Sequence, residues 1–222
     1  MGTMRLFNVL IALTTVAVGA ASFGGSLPAA FAAIKPGDKE DLIDRTINQI
    51  KEGDKVPYVD LDWNFPPQKV NIPQYTWGRN VIIVGVPGAF TPVASNLVIP
   101  SYLENQAELK EQGVEEVIFF SVNDGAVMRN WYNKTGLVGT LSQMFGDPSG
   151  EFTRDCGMEL VDPELAAKGL IGRSKTFAMH VVSCVVQHVA VCEDNDPFGD
   201  DIPEAVCAPA MLEAIKSKQA LA

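Results

Sequence analysis

Histidine is scarce in this 222-residue chain: there are two, His180 and His188. Cysteine occurs four times, at Cys156, Cys184, Cys192 and Cys207, and no two form a CxxC pair. Soft ligands so few and so spaced make no zinc pattern, and no metal is expected. A glycine-rich phosphate loop is missing, so no cofactor is expected either. The acidic stretch Glu193 to Glu204 fails as a calcium loop, because Phe198 and Ala205 fall where ligands belong. Internal repeats and low-complexity segments are lacking. Basic residues are outnumbered, 17 Lys and Arg against 27 Asp and Glu, for a net charge of −10. A body this acidic excludes general nucleic-acid binding, which needs clustered cations. It favours a soluble, self-repelling surface.

The N-terminus has the opposite character. Arg5 is the only charged residue before Lys35, so the remainder carries −11. Val9 to Ala21 is an apolar run, and Ala20-Ala21-Ser22 offers the small residues that a signal peptidase needs. This is the layout of a secretory signal peptide. Polar breaks at Thr14, Thr15 and Ser22, with Gly24 and Gly25, make a poor spanning helix. Phe23, just after the cut, resembles the bipartite presequences of algae with secondary plastids. The expected route is therefore secretory, with a plastid as the destination that this resemblance implies. The alternative is a retained anchor running on through Leu27 to Ile34, and membrane contact is expected only in that case. The expected organisation is a targeting segment or anchor over 1–34 and one folded domain over 35–222. Asn133-Lys134-Thr135 is a glycosylation sequon, meaningful only if the chain stays in the secretory route.

Within the body, Asp38 can cap a helical pattern with Leu42, Ile43, Ile47 and Ile50 on one face, closed by Gly53. Trp63 to Pro73 reads as turns around a short strand at Lys69 to Asn71. Val81 to Val86 is a continuous β-branched run, suited to a strand buried on both faces. A helix is expected from about Ser95 to Gln112, a second buried strand over Val117–Val122 and a helix over Gly125–Lys134. Phe177–Val182 and Val185–Val191 read as adjacent antiparallel strands. Pro209–Lys218 reads as a closing helix with Pro at its start. Trp63, Trp77, Trp131 and Tyr132 read as core or rim. This is an α/β layout whose first strands should be parallel, with right-handed crossovers. Its order matches a thioredoxin-like central mixed sheet flanked by helices.

Several blocks stand in a specific order. They are Phe65 to Asn71 (FPPQKVN), Gly78 to Ser95 (GRNVIIVGVPGAFTPVAS), Ser121 to Asp124 (SVND), Gly146-Asp147-Pro148, Gly172-Arg173-Ser174 and Phe177-Ala178-Met179. Together they resemble the type II (atypical, single-domain) peroxiredoxins, over about Lys55 to Ile215. The resemblance implies the thioredoxin-like fold of peroxiredoxin type. It also implies what the positions are for. A cysteine thiolate at a helix N-terminus attacks the O–O bond of a peroxide and becomes a sulfenic acid. A threonine three residues earlier bonds the peroxide, and an arginine from a distant strand adds positive charge.

Carried over by position, the family's Pro and Thr match Pro87 and Thr91, and the cysteine position is Ala94. The histidine that usually follows four residues later is Val98. The arginine position, immediately before the aromatic residue of Arg173-Ser174-Lys175-Thr176-Phe177, is Thr176. Ser95 is next to Ala94 but lacks a histidine base placed by sequence. Lys175 should point away from Thr176 by strand alternation, and Arg173 could supply charge from the loop. Cys207 matches the resolving cysteine of some atypical members. It is a relic, a core thiol, or half of a disulfide with Cys184 or Cys192. The resemblance with these departures implies a catalytically inactive structural or interaction module, an accessory subunit of an organellar complex. It would contact a protein partner or a second copy through the active-site-loop face. The alternatives are a thiol-dependent peroxidase, with Ala94 engineered or the nucleophile relocated, and a redox sensor using Cys184, Cys192 or Cys207.

Overall fold

A computed structural model of the chain describes residues 49–161, 163–192 and 202–221. The expected leader and most of the helix that Asp38 would cap lie outside these residues. The tail of that helix does not: Gln49 to Gly53 form no helix, and Gly53 closes a turn at φ +87°.

Among the described residues, seven strands form one mixed sheet in the order β2-β1-β5-β4-β3-β6-β7. They are β1 (Asp60–Trp63), β2 (Gln68–Asn71), β3 (Asn80–Gly85), β4 (Glu116–Ser121), β5 (Ser142–Gly146), β6 (Phe177–Val182) and β7 (Val185–Val191). β3, β4 and β5 run parallel at the centre, and the β-branched runs of β3 and β4 are covered on both sides as expected. β6 pairs antiparallel with β3 and with β7, and β1 pairs antiparallel with β2 and β5. The β6–β7 hairpin turns on Ser183 (φ 48°) and Cys184 (φ 69°). Two successive positive φ values give the twist that a two-residue hairpin requires.

The helices are α1 (Ile72–Thr76), α2 (Ile99–Glu104), α3 (Gln106–Glu111), α4 (Gly125–Lys134), α5 (Glu151–Asp155), α6 (Pro163–Ala167) and α7 (Ala208–Gln219). Asp124 caps α4 by accepting from Val127 N–H at 2.9 Å. On one sheet face Ile82, Val84 and Phe119 meet Tyr102, Trp131 and Leu212 from α2, α4 and α7. On the other, Phe120 stacks edge-on against Phe152 of α5 and Phe177, with centroids at 5.1 and 5.7 Å.

Two further expectations need correction. The single helix over Ser95–Gln112 is broken. A wide turn spans Ala94–Val98, where Ile99 N–H bonds to Ala94 O, five residues back. Pro100 has no N–H to continue a four-residue ladder, so α2 starts afresh. Asn105 then ends α2, its Nδ2 donating to Ser101 O at 2.8 Å, a side-chain bond that competes with the backbone ladder. Trp63 is also a strand residue rather than part of a turn. β1 reads as polar because it carries two aspartates. Yet Asp62 is buried at 5% exposure and held by Lys69 Nζ at 2.5 Å across the β1–β2 pair.

His180 sits on β6, with Nε2 2.7 Å from Asn80 Oδ1. Burial, with His188 and Lys218 nearby, pushes its pKa down from 6.5 to about 4. The unfolded chain therefore binds a proton that the folded chain refuses between those two values. Stability is lost as pH falls from about 6.5 to about 4, by about 3 kcal/mol if this group acts alone. Denaturant unfolding of His180→Gln is expected to show a correspondingly smaller loss over that range than the parent chain.

Candidate functional site

The segment Pro87–Val98 leaves the end of β3 and crosses the top of the sheet. Gly85, the last residue of β3, pairs with Phe177, the first of β6. Thr176 and Arg173 therefore arrive at the same sheet edge as the loop. Arg173 Nη1 donates to Pro87 O at 3.1 Å. Thr91 Oγ1 donates to Gly88 O at 3.0 Å, and Ser95 N–H bonds to Thr91 O at 2.9 Å. Ala89 N–H donates to Asn123 Oδ1 at 2.9 Å, and the same oxygen accepts from Ser121 Oγ at 2.9 Å. The loop is thus tied to three places in the chain: its own turn, the Ser121–Asp124 turn and the strand approach before β6.

Phe90 stands at the loop's apex with φ 63° and 47% exposure. Left-handed backbone is costly for a bulky residue and persists where packing fixes it. Here the ring rests on Trp131 of α4, with centroids 5.8 Å apart. Trp131 is fully buried, and its Nε1 has no hydrogen-bond partner. Pro92 and Leu97 of the same segment are also exposed.

Ala94 opens the wide turn before α2 at 2% exposure, and Val98 closes it in the same apolar cluster. Ser95 Oγ is buried without a partner. His180 cannot serve it: that residue pairs with Ile82 near the start of β3, whereas the loop leaves from the end. Thr176 is buried at 1% exposure, and its carbonyl accepts from Cys192 N–H at 2.9 Å. From Pro87 to Val98 the side chains offer two hydroxyls, Thr91 and Ser95, and no sulfur. The pattern SVND held the cue to Asn123, but nothing in the motif said that its amide reaches Ala89. Among the described residues no group of three His, Cys, Asp or Glu side chains is placed to hold a metal ion. No described helix is long and apolar enough to cross a membrane.

The four thiols are buried and none is bonded to another. Cys207 with Cys184 fails as a disulfide on position. Cys184 lies in the hairpin turn with its Sγ donating to Pro73 O at 2.9 Å, whereas Cys207 caps α7 beside Ser101. Burial raises the pKa of Cys156, Cys184 and Cys207 above the usual thiol range.

Asn123→Ala would leave Ala89 N–H and Ser121 Oγ without this acceptor. The expected loss is about 1–3 kcal/mol in denaturant unfolding. The Ser121–Asp124 turn has little freedom to compensate, because a Cβ on Gly146 would already lie 2.4 Å from Asn123 O.

The fold agrees with comparison against known proteins. The family model described as Redoxin matches residues 51–206. The chain belongs to the redoxin family. This redoxin is 41% identical to Peroxiredoxin-2B of Arabidopsis thaliana over 164 residues, covering 71% of this chain and 98% of that protein. It is 41% identical to Peroxiredoxin-2D of the same plant over 133 residues, covering 59% of this chain and 80% of that protein. Reduced Prx3 of Vibrio vulnificus, solved with hydrogen peroxide, matches with a TM-score of 0.67 at 29% identity. That match covers 77% of this redoxin and 99% of the Vibrio chain. Peroxiredoxin 5 of Alvinella pompejana matches with a TM-score of 0.63 at 29% identity, covering 76% and 99%. The thioredoxin-like α/β fold of the peroxiredoxins is therefore the fold of this redoxin.

Proposed function

We propose that this redoxin keeps the peroxiredoxin scaffold without its peroxidase reaction and acts as a protein-interaction module. The observation that carries this reading is an intact, hydrogen-bonded PGAFT loop around a position, Ala94, that ends in a methyl group. A methyl group has no lone pair with which to attack an O–O bond. Val98 replaces the usual histidine, and Thr176 replaces the arginine that would stabilise developing negative charge. Three changes at one centre fit natural loss of function better than a single engineered substitution. Ser95 has no base to activate it.

A relocated nucleophile would have to be Cys207. Its Sγ donates to Pro203 O at 3.2 Å, and burial disfavours its thiolate, which weighs against that role. The preserved surface is instead the useful part. Phe90, Leu97 and Pro92 project from a loop pinned by Arg173 and Asn123, and such a rigid apolar face suits a protein partner or a second copy. An organellar assembly reached through the secretory route, a plastid assembly by the presequence resemblance, is the setting that we propose. The test is thiol-dependent peroxide consumption by the purified native protein beside Cys207→Ser. Turnover at the blank rate is expected for both. Turnover by the native protein that disappears in Cys207→Ser would overturn the reading.

A further inference from the structure

The four buried thiols are not equivalent in placement. Cys156 follows α5, and its carbonyl accepts from Ile50 N–H at 2.9 Å. Cys184 opens β7 and Cys192 follows its end, so the seven-residue strand, roughly 23 Å long, separates them. Cys192 and Cys207 both belong to the apolar cluster that contains Ala94, whereas Cys156 and Cys184 do not. The two sulfurs also bond to neighbouring residues of one short segment. Cys192 Sγ accepts from Ile202 N–H at 3.3 Å, and Cys207 Sγ donates to the carbonyl of the next residue, Pro203, at 3.2 Å. The turn Pro203–Val206 packs against both β7 and the Ala94–Val98 turn.

We propose that Cys192 and Cys207 are an intrachain disulfide site, oxidised by a low-molecular-weight disulfide such as glutathione disulfide. Cys207 attacks first. It is the more exposed of the two, at 5% against 1% for Cys192. The thiolate, having lost its proton to solvent, displaces one glutathione thiolate and leaves a mixed disulfide. The Cys192 thiolate then attacks the Cys207 sulfur and releases the second glutathione. Two protein thiols are oxidised, one glutathione disulfide is reduced to two glutathiones, and the released thiolates take up the two protons. The bond requires the Pro203–Val206 turn to shift, because each sulfur is held by a backbone group of Ile202 or Pro203. Burial of Cys207 makes the exchange slow at neutral pH and faster as pH rises. No peroxide takes part, so this inference stands or falls separately from the proposed loss of peroxidase chemistry.

The full chain is incubated with glutathione disulfide, alkylated, digested without reduction and analysed by mass spectrometry. Loss of two alkylatable thiols is expected, with a linked pair of peptides containing Cys192 and Cys207. Cys184→Ser should leave the link in place, whereas Cys192→Ser and Cys207→Ser should each abolish it. Four alkylatable thiols after prolonged incubation would overturn the proposal. So would a link through Cys156 or Cys184, or a glutathione adduct that never resolves. The wild-type measurement decides the matter even if a variant fails to fold.

Discussion

The double variant Ala94→Cys/Thr176→Arg is expected to consume peroxide at least a hundredfold faster than Ala94→Cys alone, with the single variant close to the blank. The reason is electrostatic. A thiol at 94 would sit at the head of the turn that leads into α2, where backbone N–H groups help to ionise it. It would still lack a cation for the charge that develops on the departing oxygen. Loss of one preorganised charge-stabilising donor costs about 10²–10³ in rate in well-studied enzymes. Arg173 does not fill the gap, because its Nη1 already donates to Pro87 O on the loop backbone. The arginine at 176 enters a site with 1% exposure, so overpacking should cost about 1–3 kcal/mol of stability. Circular dichroism at the assay temperature separates that loss from the gain in rate. Equal activity in the two variants would show that Thr176 is not the missing element.

Trp131→Ala should be the most damaging change to the scaffold. Its indole is fully buried between α4 and the sheet and backs Phe90 at 5.8 Å. Truncation of a buried tryptophan costs about 3–5 kcal/mol, which corresponds to roughly 10 °C or more in melting temperature for a domain of this size. The Phe90 ring loses its support as well, so the loop face should become mobile while the sheet survives. Trp131→Phe should lose much less, since Nε1 makes no hydrogen bond that phenylalanine would forfeit. Amide exchange of Pro87–Val98 distinguishes loosening of the loop from global unfolding. A stability loss below about 1 kcal/mol for Trp131→Ala would contradict this account of the core.

Much of this fold was legible where local signals and tertiary placement agree. The β-branched runs in β3 and β4 admit little but a doubly covered strand. The β6–β7 pair leaves only Ser183 and Cys184 for its turn, which forces an antiparallel hairpin. Asp124 before an apolar-periodic run marks the start of α4. Elements stabilised by distant partners were hidden. β1 carries Asp60 and Asp62, and its strand character depends on Lys69 across the pair and Gly146 beside it. β5 mixes Ser142 and Gln143 with Met144 and Phe145, too short a pattern to distinguish from a turn. The break at Asn105 arises from a side-chain bond that no periodicity reveals.

The site divides the same way. Pro87, Thr91 and Ala94 lie within eight residues, so the motif displays them together. The ties from Ala89 to Asn123 and from Pro87 to Arg173 span 34 and 86 positions, and only the folded sheet edge brings them into contact. The possible pairing of Cys207 with Cys184 was open in the sequence because separation along the chain says nothing about which end of a hairpin each residue occupies.

Loss of peroxide chemistry around residue 94 is directly measurable in the native protein. One equivalent of hydrogen peroxide, mixed with the fully reduced chain and followed by residual peroxide and by thiol count, tests it in a single turnover. The peroxide is expected to persist and all four thiols to remain titratable, as for unactivated cysteine at the same concentration. Rapid disappearance of the peroxide with stoichiometric loss of thiols would contradict it.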